Sequence, residues 1–315
     1  MKTYIIGHLK PDTDSVVAPM ALAALYQNVP ACGYENVEAV LTAPINPETT
    51  FLLEKFGLAS PRVITAEEID SDDQVVLVDH NEADQRLPGL KQDQIVAIVD
   101  HHKAKLNFDR PINLTFKTWG CSCSIIYSMM KQNDYQPEKK LASLMLAAIL
   151  SDTVGFKSAT CTNKDREVAQ ELARIAEMSD LDAFTLEIFK AKSDVSGLSC
   201  LEIVKNDYKI MEFNGQKVMI DQLETVEQAE IIAEKKDCLL KAITQVKAEL
   251  AVDLLFVVVS DILNVNSKII LLGEAETQVA EKAFGTTASE KLIDIGPKLS
   301  RKKEIAPAIE KALSN

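Results

Sequence analysis

The chain contains only four histidines, His8, His80, His101 and His102, all in its first third. Each follows directly on a short β-rich run, and each has aspartate beside it. G-H-L-K-P-D-T-D-S supplies His8, Asp12 and Asp14. V-D-H-N-E supplies Asp79 and His80, and V-D-H-H-K supplies Asp100, His101 and His102. L-S-D-T-V-G-F-K-S, after an apolar helical run, adds Asp152. Imidazole and carboxylate without thiolate suit Mn²⁺, Co²⁺, Fe²⁺ or Zn²⁺. The set points to a metal site and to metal-assisted hydrolysis.

Simpler readings exist for each residue alone. A lone Asp after a strand is commonly a turn or N-cap residue, and Asp14 with Ser15 could open a helix. A lone His is more often a surface or core residue than a ligand. His–Asp clusters at successive strand ends of one sheet are harder to assign to turn chemistry. Asp70, Asp72 and Asp73 fall in EEIDSDD, which carries no His and reads as a solvated loop.

The elements that must position these residues alternate along the first half. Strands are expected at 4–7, 37–42, 62–64, 75–78 and 95–99, with helices at 15–27, 47–56 and 122–131. That alternation implies βαβ units and a parallel sheet. VVLV and IVAIV are apolar throughout, as in strands covered on both faces. Ligands bind outside the carboxyl ends of such strands, where every His falls. Helical spacing continues through 141–150, 164–178 and 181–189.

AKSDVSGLS, 191–199, reads as an interdomain linker. Beyond it, strands at 208–213 and 217–222 flank Asn214-Gly215, a hairpin signal. A long helix at 226–250, strands at 254–259 and 268–272, and a closing helix from about 303 to 313 complete the pattern. The expected class is α/β in two domains. A parallel-sheet metal-binding domain with flanking helices spans 1–190, and a smaller α/β domain spans 200–315.

Composition agrees with two domains, since 315 residues is long for one core. The net charge of −13 gives no general attraction for nucleic acid or anionic membrane. An anionic substrate would need bound cations or a basic cluster. No run is long enough to span a bilayer, and MKTYIIGHLKPDTDS has no signal-peptide core. A cytoplasmic protein is expected. The six cysteines, at 32, 121, 123, 161, 200 and 238, show no C-x-x-C pair. Free, buried or half-buried thiols of a reducing compartment are expected, not a thiolate metal site.

G-H-x-x-P-D-x-D-S, V-D-H-N-E and D-H-H resemble the DHH phosphoesterase superfamily. With S-D-T-x-x-F-K-S and the S-R-K-K at 300–303, they are most similar to the manganese-dependent family II inorganic pyrophosphatases. The resemblance spans nearly the whole chain and makes the second domain DHHA2-like. It implies hydrolysis of pyrophosphate to two phosphates, with two Mn²⁺ (or Co²⁺) per subunit and Mg²⁺ carried by the substrate. His8 and Asp12 would bind one ion, and Asp14 and His101 the other. Asp79 and Asp152 would bridge them, placing the ions about 3.5–4 Å apart with an activated water between. His102 would contact the substrate, and Lys209, Arg301 and Lys302 would hold its phosphates from the second domain. Metals on one domain and a basic grip on the other imply hinge closure. A homodimer through the first sheet's edge is also implied.

Charge fits this reading. Asp12, Asp14, Asp79 and Asp152 balance two divalent ions, so the site assembles near neutrality, and the anionic substrate then calls for further cations. The basic run in I-G-P-K-L-S-R-K-K-E could be a solvated patch, but in so acidic a chain it reads as a phosphate grip. Other DHH chemistries remain as rivals: an exopolyphosphatase, a nucleotide phosphatase or a nuclease. The chain is acidic and lacks a G-G-G-H element, which disfavours the nuclease. A non-catalytic metal-binding scaffold would be expected to have lost a ligand, and none is missing. The spacing from His102 to Asp152 leaves no room for an inserted nucleotide-sensing module.

Overall fold

Short, doubly apolar runs pair side by side in the first of two units, which part between Ala191 and Lys192. The structure, a computed structural model, describes residues 1–314. The strands are β1 (Thr3–Ile6), β2 (Val37–Val40), β3 (Gln74–Val78), β4 (Ile95–Asp100) and β5 (Asn113–Phe116). They run in the order β2-β1-β3-β4-β5, every pair parallel.

Side chains alternate across a strand, so each strand feeds two cores. Ile5, Val76, Val78 and Val99 pack under α1 (Thr13–Asn28), α3 (Ser122–Gln132), α4 (Lys139–Asp152) and α5 (Asn163–Ala176). α2 (Pro47–Phe56) adds Leu52 and Leu53 to that core. On the opposite face Tyr4, Ile6, Leu77 and Ile98 meet Ile64, Ile69 and Leu87 from the connecting loops. The chain leaves β1 for β2 on one side and returns for β3 on the other. That reversal opens a crevice at the carboxyl ends of β1 and β3.

Some local expectations differ. Residues 62–64 form a single bridge, Leu41 to Val63, and no strand. β5 was not anticipated, because its half-exposed N-L-T-F lacks an apolar face. Asp73 is not solvated: it is buried, and its carboxylate accepts the amides of Lys2 and Asp70. α6 (Leu181–Lys192) extends into the stretch read as linker.

The second unit is a mixed sheet in the order β10-β9-β8-β7-β6. β6 (Tyr208–Phe213) and β7 (Gln216–Thr225) form the hairpin, with Asn214 and Gly215 at φ 50 and 78 as a primed turn requires. β7 runs parallel to β8 (Leu254–Asp261), so the link between them is a crossover helix, α8 (Gln228–Glu249). β9 (Asn266–Leu271), α9 (Glu274–Phe284), β10 (Leu292–Gly296) and α10 (Ala306–Ser314) follow. α9 and β10 lie outside the elements that the sequence pattern predicts. A wide turn, Arg301–Ile305, opens the last helix.

The expectation of six free thiols is corrected. Cys32, Cys121, Cys123 and Cys161 are free, but Cys200 and Cys238 form a disulfide. It ties α7 (Cys200–Val204) to α8. Packing of the two helices brings the Cα atoms to 6.0 Å although 38 residues separate them. No helix among the described residues is long and apolar enough to cross a membrane.

Candidate metal centre

The carboxyl end of β1 is built around Gly7. A Cβ there would meet the Ser15 carbonyl oxygen at 2.1 Å, so only glycine lets the strand run this close to the start of α1. Asp12 is the N-cap of α1: its side chain accepts the Ser15 amide at 2.9 Å, and Ser15 Oγ accepts the Asp12 amide at 3.0 Å. Asp14 is therefore not the cap. It lies buried in the first turn, and its carboxylate faces the start of α3. It accepts the amides of Ser122 at 2.6 Å and Cys123 at 3.0 Å, and the Cys121 thiol at 3.0 Å. Free amides at a helix start are suited to holding a carboxylate.

Asp79 directly follows β3, with φ 65, a left-handed conformation unusual for a non-glycine residue. Strain of this kind gathers at functional sites. Its amide is held by the Val99 carbonyl at 3.0 Å, and Ser122 Oγ donates to its Oδ1 at 3.0 Å. His101 donates Nδ1–H to the Trp119 carbonyl at 3.0 Å, which leaves Nε2 free. That Nε2 lies 3.1 Å from Asp79 Oδ1, while His8 Nε2 lies 3.5 Å from Asp79 Oδ2 and from Asp12 Oδ2. Asp152 is the last residue of the buried helix α4.

These side chains form three adjoining groups, linked through Asp79 and His101. Ligand atoms of His8, Asp12 and Asp79 lie within 4.8 Å of one another, as do those of Asp14, His101 and Asp152, and those of Asp79, His101 and His102. Burial, then the charges of Asp14 and Asp12, pushes the Asp79 carboxyl well above its usual range. Burial, then Asp14, Asp79 and Asp12, does the same to Asp152. Asp152 also stands at a helix carboxyl end, where negative charge is unfavourable. Crowded, buried carboxylates with imidazoles and few cations fit divalent metal ions.

His102 is half-exposed. Its Nδ1 lies 3.0 Å from Asp100 Oδ1, which also accepts the amides of His101 and His102. Burial works against ionised Asp100, but these bonds and that from Asn81 hold its carboxyl below the usual range. Asp100 is thus part of the site's framework, and its place in D-H-H was the signal. His80 does not join the ligands. It is buried and donates Nδ1–H to the Val78 carbonyl at 2.9 Å. Its ring stands edge-on to His8, and burial pushes its pKa down to about 4.

A cavity of about 600 Å³ opens over Asp12, Asp79, His101, His102 and Asp152. Lys103, Thr118, Thr160 and Thr162 also line it. None of these four is among the sequence-predicted site residues, although Lys103 directly follows D-H-H.

The other expected residues lie in the second unit. Lys209 is on β6, and Arg301 and Lys302 open the wide turn before α10. Ser300 Oγ accepts the Lys303 amide at 3.1 Å and caps that turn. Arg301 donates to the Asp207 backbone carbonyl and, at 2.9 Å, to Asp207 Oδ1. Lys209 and Lys302 are exposed and have no carboxylate partner among the described residues.

Comparison with known proteins sets this geometry in a family. Residues 2–149 match the DHH family, N-terminal domain, and residues 186–312 match the DHHA2 domain. The "Manganese-dependent inorganic pyrophosphatase" of Methanocaldococcus jannaschii is 35% identical over 319 residues, covering 98% of each chain. A "Probable manganese-dependent inorganic pyrophosphatase" of Deinococcus radiodurans is 37% identical, covering 98% of this chain and 97% of its own. A crystal structure described as a "putative family II inorganic pyrophosphatase" of Methanococcus jannaschii superposes with a TM-score of 0.63 at 33% identity. It covers 99% of this chain and 100% of its own.

Proposed function

We propose, because the chain belongs to the manganese-dependent inorganic pyrophosphatases, that it hydrolyses inorganic pyrophosphate to two phosphates at the centre on its first unit. The observation that carries this is Asp79, whose carboxylate belongs to two adjoining ligand groups. His8 and Asp12 would hold one ion and Asp14 and His101 the other, with Asp79 and Asp152 shared. Manganese is the expected metal, Co²⁺ a substitute, and Mg²⁺ would arrive with the substrate. Bound divalent ions would supply an acidified water and charge neutralisation on the phosphoryl oxygens.

The chain's own residues would do the rest. The Trp119 carbonyl and the Ser122 hydroxyl keep His101 and Asp79 in place. Asp100 holds Nδ1 of His102, so Nε2 is the atom left to hydrogen-bond the substrate and pass a proton to the leaving phosphate. Arg301, Lys302 and Lys209 would neutralise charge on the phosphates. Their lack of carboxylate partners, Arg301 apart, supports this role over a solvated patch.

A homodimer belongs to the same proposal, supported by the exposed edge strand β5 with Leu114 on it. So does a cytoplasmic setting, which the four free thiols support and the Cys200–Cys238 disulfide weighs against.

The test is phosphate release by the Mn²⁺-loaded protein with Mg²⁺ present. The substrates are pyrophosphate, polyphosphate, phosphoadenosine phosphate and short oligonucleotides. Pyrophosphate is expected to be turned over fastest. Preference for any of the others would overturn the assignment.

A further inference from the structure

Arg301 is the one basic residue of the expected grip that is not free. Its side chain is only 15% exposed, and it meets Asp207 twice, at the backbone carbonyl and at Oδ1. A guanidinium carries its donors in a rigid fork, and two acceptors on one residue fix the plane of that fork.

Asp207 is itself held firmly. It stands just before β6, where its carbonyl oxygen accepts the Gln222 amide at 3.0 Å. Its own amide donates to Asp221 Oδ1 at 3.3 Å. Gln222 ties the same place to the approaching chain, since its Nε2 donates to the Leu299 carbonyl at 2.8 Å. Two links, Gln222 to Leu299 and Asp207 to Arg301, thus join the S-R-K-K turn to the end of the β6–β7 hairpin. Lys209 lies two residues along β6 from Asp207.

Charge alone does not explain the pairing. A carboxylate 2.9 Å from Arg301 Nη2 offsets the positive charge that a phosphate would seek. Asp221 lies nearby, but burial pushes its carboxyl up to about 8. What the contact provides is direction.

Building on the reading that Arg301 grips pyrophosphate, we propose that Asp207 is a positioning residue for that grip. It aims the Arg301 fork, so that the donors it leaves free are set for a phosphate without prior reordering.

The experiment uses the full-length Mn²⁺-loaded protein with Mg²⁺–pyrophosphate. Asp207→Ala is expected to raise KM about tenfold, the scale of one lost charge-assisted hydrogen bond. kcat should stay within about threefold, since the reacting centre lies elsewhere. Asp207→Asn keeps an oxygen acceptor and should restore KM to near wild type. In an Arg301→Lys background, which has no fork, Asp207→Ala should add nothing. An unchanged or lowered KM in Asp207→Ala overturns the proposal. So does an equal loss in both backgrounds, or a loss that follows a fall in melting temperature. If Arg301→Lys itself has wild-type kinetics, the grip reading fails; if only that variant is impaired, the grip stands and Asp207 is not its positioning residue.

Discussion

Nε2 of His101 lies 3.1 Å from Oδ1 of Asp79, while the other Asp79 oxygen lies 3.5 Å from Nε2 of His8. One buried carboxylate therefore faces an imidazole on each side, at the reversal point of the sheet. Asp79→Asn keeps the shape but removes a charge from both proposed ion positions. Pyrophosphate turnover should fall by more than about a hundredfold. The metal-free variant should melt at or above the wild-type temperature, because a crowded buried charge is gone. Wild-type turnover would remove Asp79 from the centre.

Gly7 sets how near β1 comes to α1. Gly7→Ala would drive a methyl group into the Ser15 backbone, 2.1 Å from its carbonyl oxygen. The start of α1 must then shift, carrying Asp12 and Asp14 with it. Destabilisation of about 1–3 kcal/mol is expected from overpacking, together with weaker Mn²⁺ binding. Denaturant unfolding with and without Mn²⁺ measures both, and an unperturbed variant would contradict the close approach.

Much of this centre was legible because its signals are local. His8, Asp79 and His101 each sit within a few residues of a strand end, and parallel strands bring their carboxyl ends to one edge. The hairpin was legible for the same reason, since Asn214-Gly215 carries its turn preference in two residues. What stayed hidden depends on partners distant in sequence. β5 shows no alternation because it is a half-exposed edge strand. The thiols of Cys121 and Cys123 read as inert core, and nothing in C-x-C announces that this helix start receives Asp14, more than a hundred residues earlier. The Cys200–Cys238 bond likewise needs the packing of α7 on α8. Asp207 lay in plain view within N-D-Y-K, but only the fold shows that Arg301 reaches it.

Asp221 gives a pH dependence with a definite sign. Its carboxyl titrates near 8 when folded, against ~3.9 when unfolded. The folded chain holds this proton more tightly. Its contribution to stability is complete below the unfolded value and is lost as pH rises through about 8. Relative to Asp221→Asn, the wild type should lose about 1.4 kcal/mol per pH unit between those limits. Unfolding free energies of both proteins from acid to mildly alkaline pH check this, and a constant difference would contradict it.

The most direct test counts ions against turnover. Protein stripped with a chelator is titrated with Mn²⁺ while phosphate release from Mg²⁺–pyrophosphate is followed on the same samples. Activity should be negligible without Mn²⁺ and reach its plateau at about two equivalents per chain, as a two-ion site requires. Full activity of the stripped protein, or a plateau at one equivalent, would contradict a two-ion centre shared through Asp79.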